Sequence, residues 1–130
     1  VDSHLPAGAG EANVVPIFIS VDPDRDTPRL VQEYLEDFHP RFVGFTGTQE
    51  EIDAVAKAFR VYHSKDVSDG ESKTPESDYL VDHSIITYLM GPDGQFVEFY
   101  GRVSSAEDMA LRVSNHVREE LSARRRAQRA

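Results

Sequence analysis

The sequence predicts an α/β domain, a mixed sheet covered on both faces with its elements in the order β-α-β-α-β-β-α. Three observations carry this expectation. Compact β-branched and aromatic runs alternate with segments whose apolar residues recur at helical spacing. Two crossover helices precede a tight hairpin and a closing helix, an order that suggests a mixed sheet. The 130 residues, 39% hydrophobic and 28% charged, suffice for one core.

Each element has a local reason. Residues 1–13, "VDSHLPAGAGEAN", are small, polar and aperiodic, and read as a flexible lead-in. "VVPIFISVD" (14–22) lacks clean alternation, as expected of a strand buried on both faces. "PDRDTPRL" turns the chain, with Asp26 or Thr27 as cap and Pro28 in the first helical turn. The helix over 28–38 carries Leu30, Val31, Tyr34, Leu35 and Phe38 on one face, and Pro40 stops it. "FVGFTG" (42–47) is a second strand, its two glycines explained by turn geometry.

Thr48 with Glu51 makes a capping-box pattern, and the helix 49–60 buries Ile52, Val55, Ala56 and Phe59. Residues 64–78 are polar and broken by glycine and proline, so an exposed loop is expected. "SIITYLM" (84–90) and "QFVEFYG" (95–101) are strands joined by "GPDG", with positive φ expected at Gly94. Ser104 or Ser105 caps the last helix, whose packed stripe is Met109, Val113, Val117 and Leu121.

Charge is uneven along the chain. Residues 1–111 hold 8 basic and 21 acidic side chains, whereas 112–130 hold 6 basic and 2 acidic. The acidic body argues against nucleic acid, whose affinity rests on basic groups that displace counterions. "RRRAQR", in the 122–130 tail, reads as a solvated helix end. No run of about 18 apolar residues marks a membrane span, and no secretory signal opens the chain. With valine first, further chain upstream is expected. The absence of cysteine excludes disulfides and thiolate sites within these residues.

Few residues invite chemistry. His83, before the most apolar run, has two readings: a strand-end histidine satisfied by Asp82 or a carbonyl, or a metal ligand or acid–base group. One imidazole does not hold a metal tightly, since such sites use three or four ligands. His4, His39, His63 and His116 form no H-x-H or H-x-x-x-H pair with it. "DPDRD" (22–26) alternates carboxylates but lacks the glycine of a calcium loop. Tyr62, Tyr79 and Tyr88 read as half-buried packing residues.

Taken together, "FISVDPDRDTPRLVQEYLEDFHPRFVGFTGTQEEI", "AKAFRVYHSK" and "DYLVDHSIITYLMGPDGQFVEFYG" resemble the SCO/SenC family of copper chaperones for cytochrome c oxidase. The similarity spans roughly 14–118. It implies a thioredoxin-like, three-layer α/β/α fold, with residues 14–121 as a partial domain missing the first β-α unit. It also implies a mitochondrial inner-membrane protein facing the intermembrane space, or a periplasmic one, held by an anchor not present in this chain. Implied partners are the oxidase's copper-centre subunit and other copper-delivery proteins.

In that family two cysteines of a C-P-x-x-C-P type motif and one histidine hold copper, and the histidine carries over to His83. The motif belongs before residue 14, where this chain has "SHLPAGAGEAN". The expected role is therefore copper delivery and not catalysis, with copper weak or absent on this chain itself. The alternatives are a thiol–disulfide oxidoreductase of thioredoxin-like fold, or an interaction module that no longer binds metal.

Overall fold

A computed structural model describes residues 14–61 and 86–130, together with the backbone of 63–65 and 81–83. The lead-in, Tyr62, Tyr79 and most of the expected 64–78 loop lie outside the described residues. The elements are β1 (Ile17–Ile19), α1 (Pro28–Leu35), β2 (Val43–Phe45), α2 (Gln49–Ala58), β3 (His63–Lys65), β4 (Val81–His83), β5 (Ile86–Met90), β6 (Phe96–Gly101) and α3 (Ala106–Arg129). They fall into two compact units, one from β1 to β4 and the other holding β5, β6 and α3. Among the described residues the strands pair two by two.

In the first unit β1 and β2 run parallel, with Ile17 opposite Val43, Phe18 opposite Gly44 and Ile19 opposite Phe45. α1 starts where Thr27 Oγ1 accepts the Leu30 N–H at 3.3 Å, with Pro28 in its first turn. Gly44 is where α1 and β2 meet. A methyl group there would stand 2.4 Å from Val31 Cγ1 and 2.7 Å from Leu35 Cδ1. Val31 and Leu35 are buried, but Leu30, Tyr34 and Phe38 of the expected apolar face are about half exposed. Tyr34 instead joins an aromatic row, 5.6 Å from Phe18 and 5.0 Å from Phe38 between ring centroids.

Three expectations change here. α1 ends at Leu35 and not 38, because Phe38 N–H bonds the Leu35 carbonyl at 3.0 Å in a tighter turn. β1 is not buried on both faces, since Ile17 and Ile19 lie exposed beside Val43 and Phe45. The glycines of "GFTG" serve no left-handed turn: among described glycines only Gly94 has positive φ. Gly44 is there for close approach, and a methyl at Gly47 would stand 2.5 Å from Glu51 Oε2, the capping carboxylate.

α2 carries the capping box in full. Thr48 Oγ1 accepts from Glu51 N–H at 3.2 Å, and Glu51 Oε2 accepts from Thr48 N–H at 2.8 Å. Ile52 and Ala56 are buried, with Val55 and Phe59 partly so. The helix closes with Val61 N–H bonding the Ala56 carbonyl at 2.8 Å and Arg60 N–H bonding that of Lys57 at 3.2 Å. This is a Schellman closure with Arg60 in the left-handed region at φ 55°.

The second unit is a hairpin with a long helix. β5 and β6 are antiparallel with a bulge at Leu89/Met90, and Gly94 takes φ 77° in the turn. Ser105 Oγ accepts from Asp108 N–H at 3.1 Å to start α3. Val113 is buried as expected, Met109, Val117 and Leu121 only half so, while Ala110 and Ser114 are the other buried positions. The arginine-rich end continues as helix to Arg129. Among the described residues no helix is long and apolar enough to cross a membrane.

Candidate metal centre

His83 is the last described residue of β4, and the described part of the expected 84–90 strand is β5, Ile86–Met90. β4 runs antiparallel to β3, pairing His63 with His83, Ser64 with Asp82 and Lys65 with Val81. Neither "HSK" nor "VDH" announces a strand by composition. Such three-residue strands exist through cross-strand pairing, which outweighs weak local preference. The ladder sets a second histidine opposite His83, a partner invisible to short-spacing searches because 20 positions separate the two.

The other candidates are occupied with structure. In "SVDPDRD", Ser20 Oγ donates to Asp26 Oδ2 at 2.6 Å and accepts the Asp22 N–H at 3.0 Å. Arg25 Nε donates to Asp26 Oδ1 at 3.0 Å and lies 3.8 Å from Asp22 Oδ2. Asp22 is wholly buried. The carboxylates thus tie down a turn that delivers the chain to its Thr27 cap, with Arg25 as counter-charge. His39 Nδ1 accepts the Arg41 N–H at 3.2 Å beyond the end of α1. Tyr88 is half-buried against Phe96, 6.4 Å between centroids.

The second unit holds a polar cluster that the sequence did not disclose. Glu98 on β6 accepts from Arg112 Nε at 3.1 Å and also pairs with Arg112 Nη2. Its other oxygen accepts from Tyr100 Oη at 3.1 Å and lies 3.0 Å from His116 Nε2. Arg112 also lies over the Tyr100 ring, 4.7 Å from its centroid, and its Nη1 donates to Asp108 at 3.2 Å. The Arg112 guanidinium holds the Glu98 carboxyl below its ordinary range, against partial desolvation. Burial, then the Glu98 charge, pushes the Tyr100 phenol up to about 12. These groups neutralise one another and clamp α3 to β6. They leave no open coordination set, and no signal short of the pairing of β6 with α3 would reveal them.

Comparison with known proteins decides the kinship. The SCO1/SenC family profile matches residues 4–118. The chain belongs to the SCO1/SenC family. It is 43% identical over 106 residues to human "Protein SCO1 homolog, mitochondrial", covering 82% of this chain and 34% of that protein. It is 50% identical over 103 residues to "Protein sco1" of Schizosaccharomyces pombe, covering 79% and 38%. The chain thus spans about a third of the length of these curated relatives.

Among solved structures, Arabidopsis thaliana ScoI with copper bound superposes with a TM-score of 0.71 at 48% identity, over 82% of this chain and 63% of that one. Yeast Sco1 with copper bound gives 0.72 at 40% identity, over 95% and 67%. The fold is therefore thioredoxin-like, as the sequence resemblance implied. Copper is a ligand of solved SCO1/SenC relatives. Cysteine is absent from all 130 residues, and no group of three or more His, Asp or Glu suited to a metal occurs among the described ones.

Proposed function

We propose that this chain is the histidine-bearing part of a copper metallochaperone that serves assembly of the cytochrome c oxidase copper centre. The observation that carries the reading is its superposition on two copper-bound relatives at 48% and 40% identity. His83 lies inside the matched residues 4–118 and is the nitrogen ligand. Copper is cargo here and not a catalytic cofactor, so the role is non-enzymatic delivery to the oxidase's copper-centre subunit, in exchange with other copper-delivery proteins. The relatives named mitochondrial support a mitochondrial setting, which we assign to the inner membrane facing the intermembrane space.

Copper(I) prefers soft thiolates, with one imidazole completing the set. His83 supplies the imidazole, and the thiolate pair comes from outside these residues. The chain alone therefore holds copper(I) weakly.

The test supplies what the chain lacks. A C-P-x-x-C-P segment from a copper-bound relative is joined upstream of residue 14, and copper(I) retention is measured against a chromophoric chelator, with and without His83→Ala. The expected result is one tightly held copper(I) per chain. His83→Ala should weaken it by at least the ~10–100-fold that losing even a supporting group costs a metal site. Equal retention without His83 overturns its assignment. Failure of the fused protein to retain any copper favours a module that no longer binds metal.

A further inference from the structure

We propose that His63 and His83 together form a two-imidazole site for a divalent transition metal, copper(II) foremost, across the β3–β4 ladder. The proposal deepens the reading of His83 as a copper ligand and rests on it for that residue. Position 63 is new. It enters because the register sets it directly opposite position 83.

The geometry follows from the ladder. Residues directly opposite one another on antiparallel strands share a face, with Cβ atoms about 4.5–5.5 Å apart. Two imidazoles rooted at that spacing lie within reach of one ion at the usual metal–nitrogen distance of about 2.0–2.1 Å. Backbone pairing holds the two roots in place, so the second imidazole binds as an intramolecular ligand with little further ordering cost. Ser64 and Asp82, also paired, occupy the ladder's other face by the two-residue period of a strand.

The donor set chooses the metal. Two neutral imidazoles without a thiolate suit copper(II), nickel(II) or zinc(II) better than copper(I), and copper(II) heads the divalent order of affinity. The formal charge of −9 raises cation concentration at the surface. A two-ligand site leaves its remaining positions to water, so moderate affinity and open access are expected. The ladder would thus accept the oxidised ion, whereas a thiolate-completed site takes the reduced one.

The experiment uses copper(II) itself on the 130-residue chain carrying His4→Gln, which removes the imidazole nearest the terminal amine. Pulsed electron paramagnetic resonance counts imidazoles on the bound ion, and titration gives affinities for this chain, His63→Gln, His83→Gln and the double variant. The spin-echo modulation should show two imidazoles. Each single variant should lose at least the about tenfold that a supporting group contributes to a metal site, and the double variant little more. That non-additivity marks a shared ion.

One imidazole per copper on the otherwise unaltered chain overturns the pair without need of any variant. If only His83→Gln weakens binding, His63 is no ligand while the reading of His83 stands. Binding unchanged in every variant, or abolished only by His39→Gln or His116→Gln, overturns the pair. The copper(I) role of His83 is then judged by the fused protein alone.

Discussion

The two units join helix to strand by opposite means. In the first, α1 meets β2 through bare contact: Val31 and Leu35 close over a glycine, with no charged group between them. In the second, α3 meets β6 through Tyr100, which is 2% exposed and touches Glu98 and Arg112, with Glu98 in turn reaching His116. One joint is governed by volume, the other by volume and charge. They should therefore fail under different perturbations. The comparison also separates two uses of histidine. His116 faces a carboxylate that already has a guanidinium, while His63 and His83 occupy opposite positions of a six-residue ladder.

The largest effect is expected at Tyr100. Tyr100→Ala empties a buried aromatic site and removes one hydrogen bond from Glu98, so a loss of about 3–5 kcal/mol is expected in denaturant titration. Tyr100→Phe keeps the ring and removes one hydrogen bond, a loss of about 0.5–1.5 kcal/mol. Equal costs for the two would mean that the hydroxyl, and not the ring, fastens α3. At the other joint Gly44→Ala should cost about 1–3 kcal/mol, because its methyl overpacks Val31 and Leu35. A compensating Val31→Ala should recover part of that loss. No recovery would place the strain elsewhere.

Next comes pH, which should act on the α3–β6 joint and not on the α1–β2 joint. The Glu98 carboxyl is lowered from 4.5, chiefly by Arg112. A depressed carboxylate contributes stability above its unfolded value and loses it as pH falls through the folded one. The clamp should therefore weaken below about pH 4.5, and Glu98→Gln should flatten that acid limb. Tyr100 runs the other way. Its pKa is raised from 10.0 to about 12, so its contribution is complete below pH 10.0 and disappears as pH rises toward about 12. Salt above physiological strength should loosen this joint and leave α1–β2 unchanged. Amide exchange read separately for α1 and α3 tests both, and parallel responses would erase the distinction.

What the sequence disclosed and what it hid follow from the range of the interactions. Thr27, Thr48 and Ser105 were legible as caps, and Gly94 as a turn, because their partners lie within four residues. Gly44 reads as a turn residue in the sequence because its reason is a helix that lies before it in sequence and against it in space. Glu98 pairs with residues 14 and 18 positions away, beyond any local pattern. β3 and β4 were hidden for the same reason. His83 stood out through its family pattern, but the strand register was needed to bring His63 to it. Spacing rules find ligand pairs along a helix or a single strand, not across a ladder closed by a long connection.

The smallest effect is the sharpest control, since it touches neither joint. Arg60 holds φ 55° at the end of α2, a left-handed conformation that costs a side-chain-bearing residue and suits glycine. Its backbone supplies one of the two closing hydrogen bonds, and Arg60→Gly retains both bonds while removing the strain. Stabilisation of ~1 kcal/mol or less is expected, because glycine's greater freedom in the unfolded chain offsets part of the gain. Arg60→Ala should bring no such gain, since alanine keeps the penalty and loses only an exposed charge. The gain should also be indifferent to salt and pH, unlike anything done at Glu98. If Arg60→Ala stabilises as much as Arg60→Gly, the arginine's charge and not its backbone sets the cost.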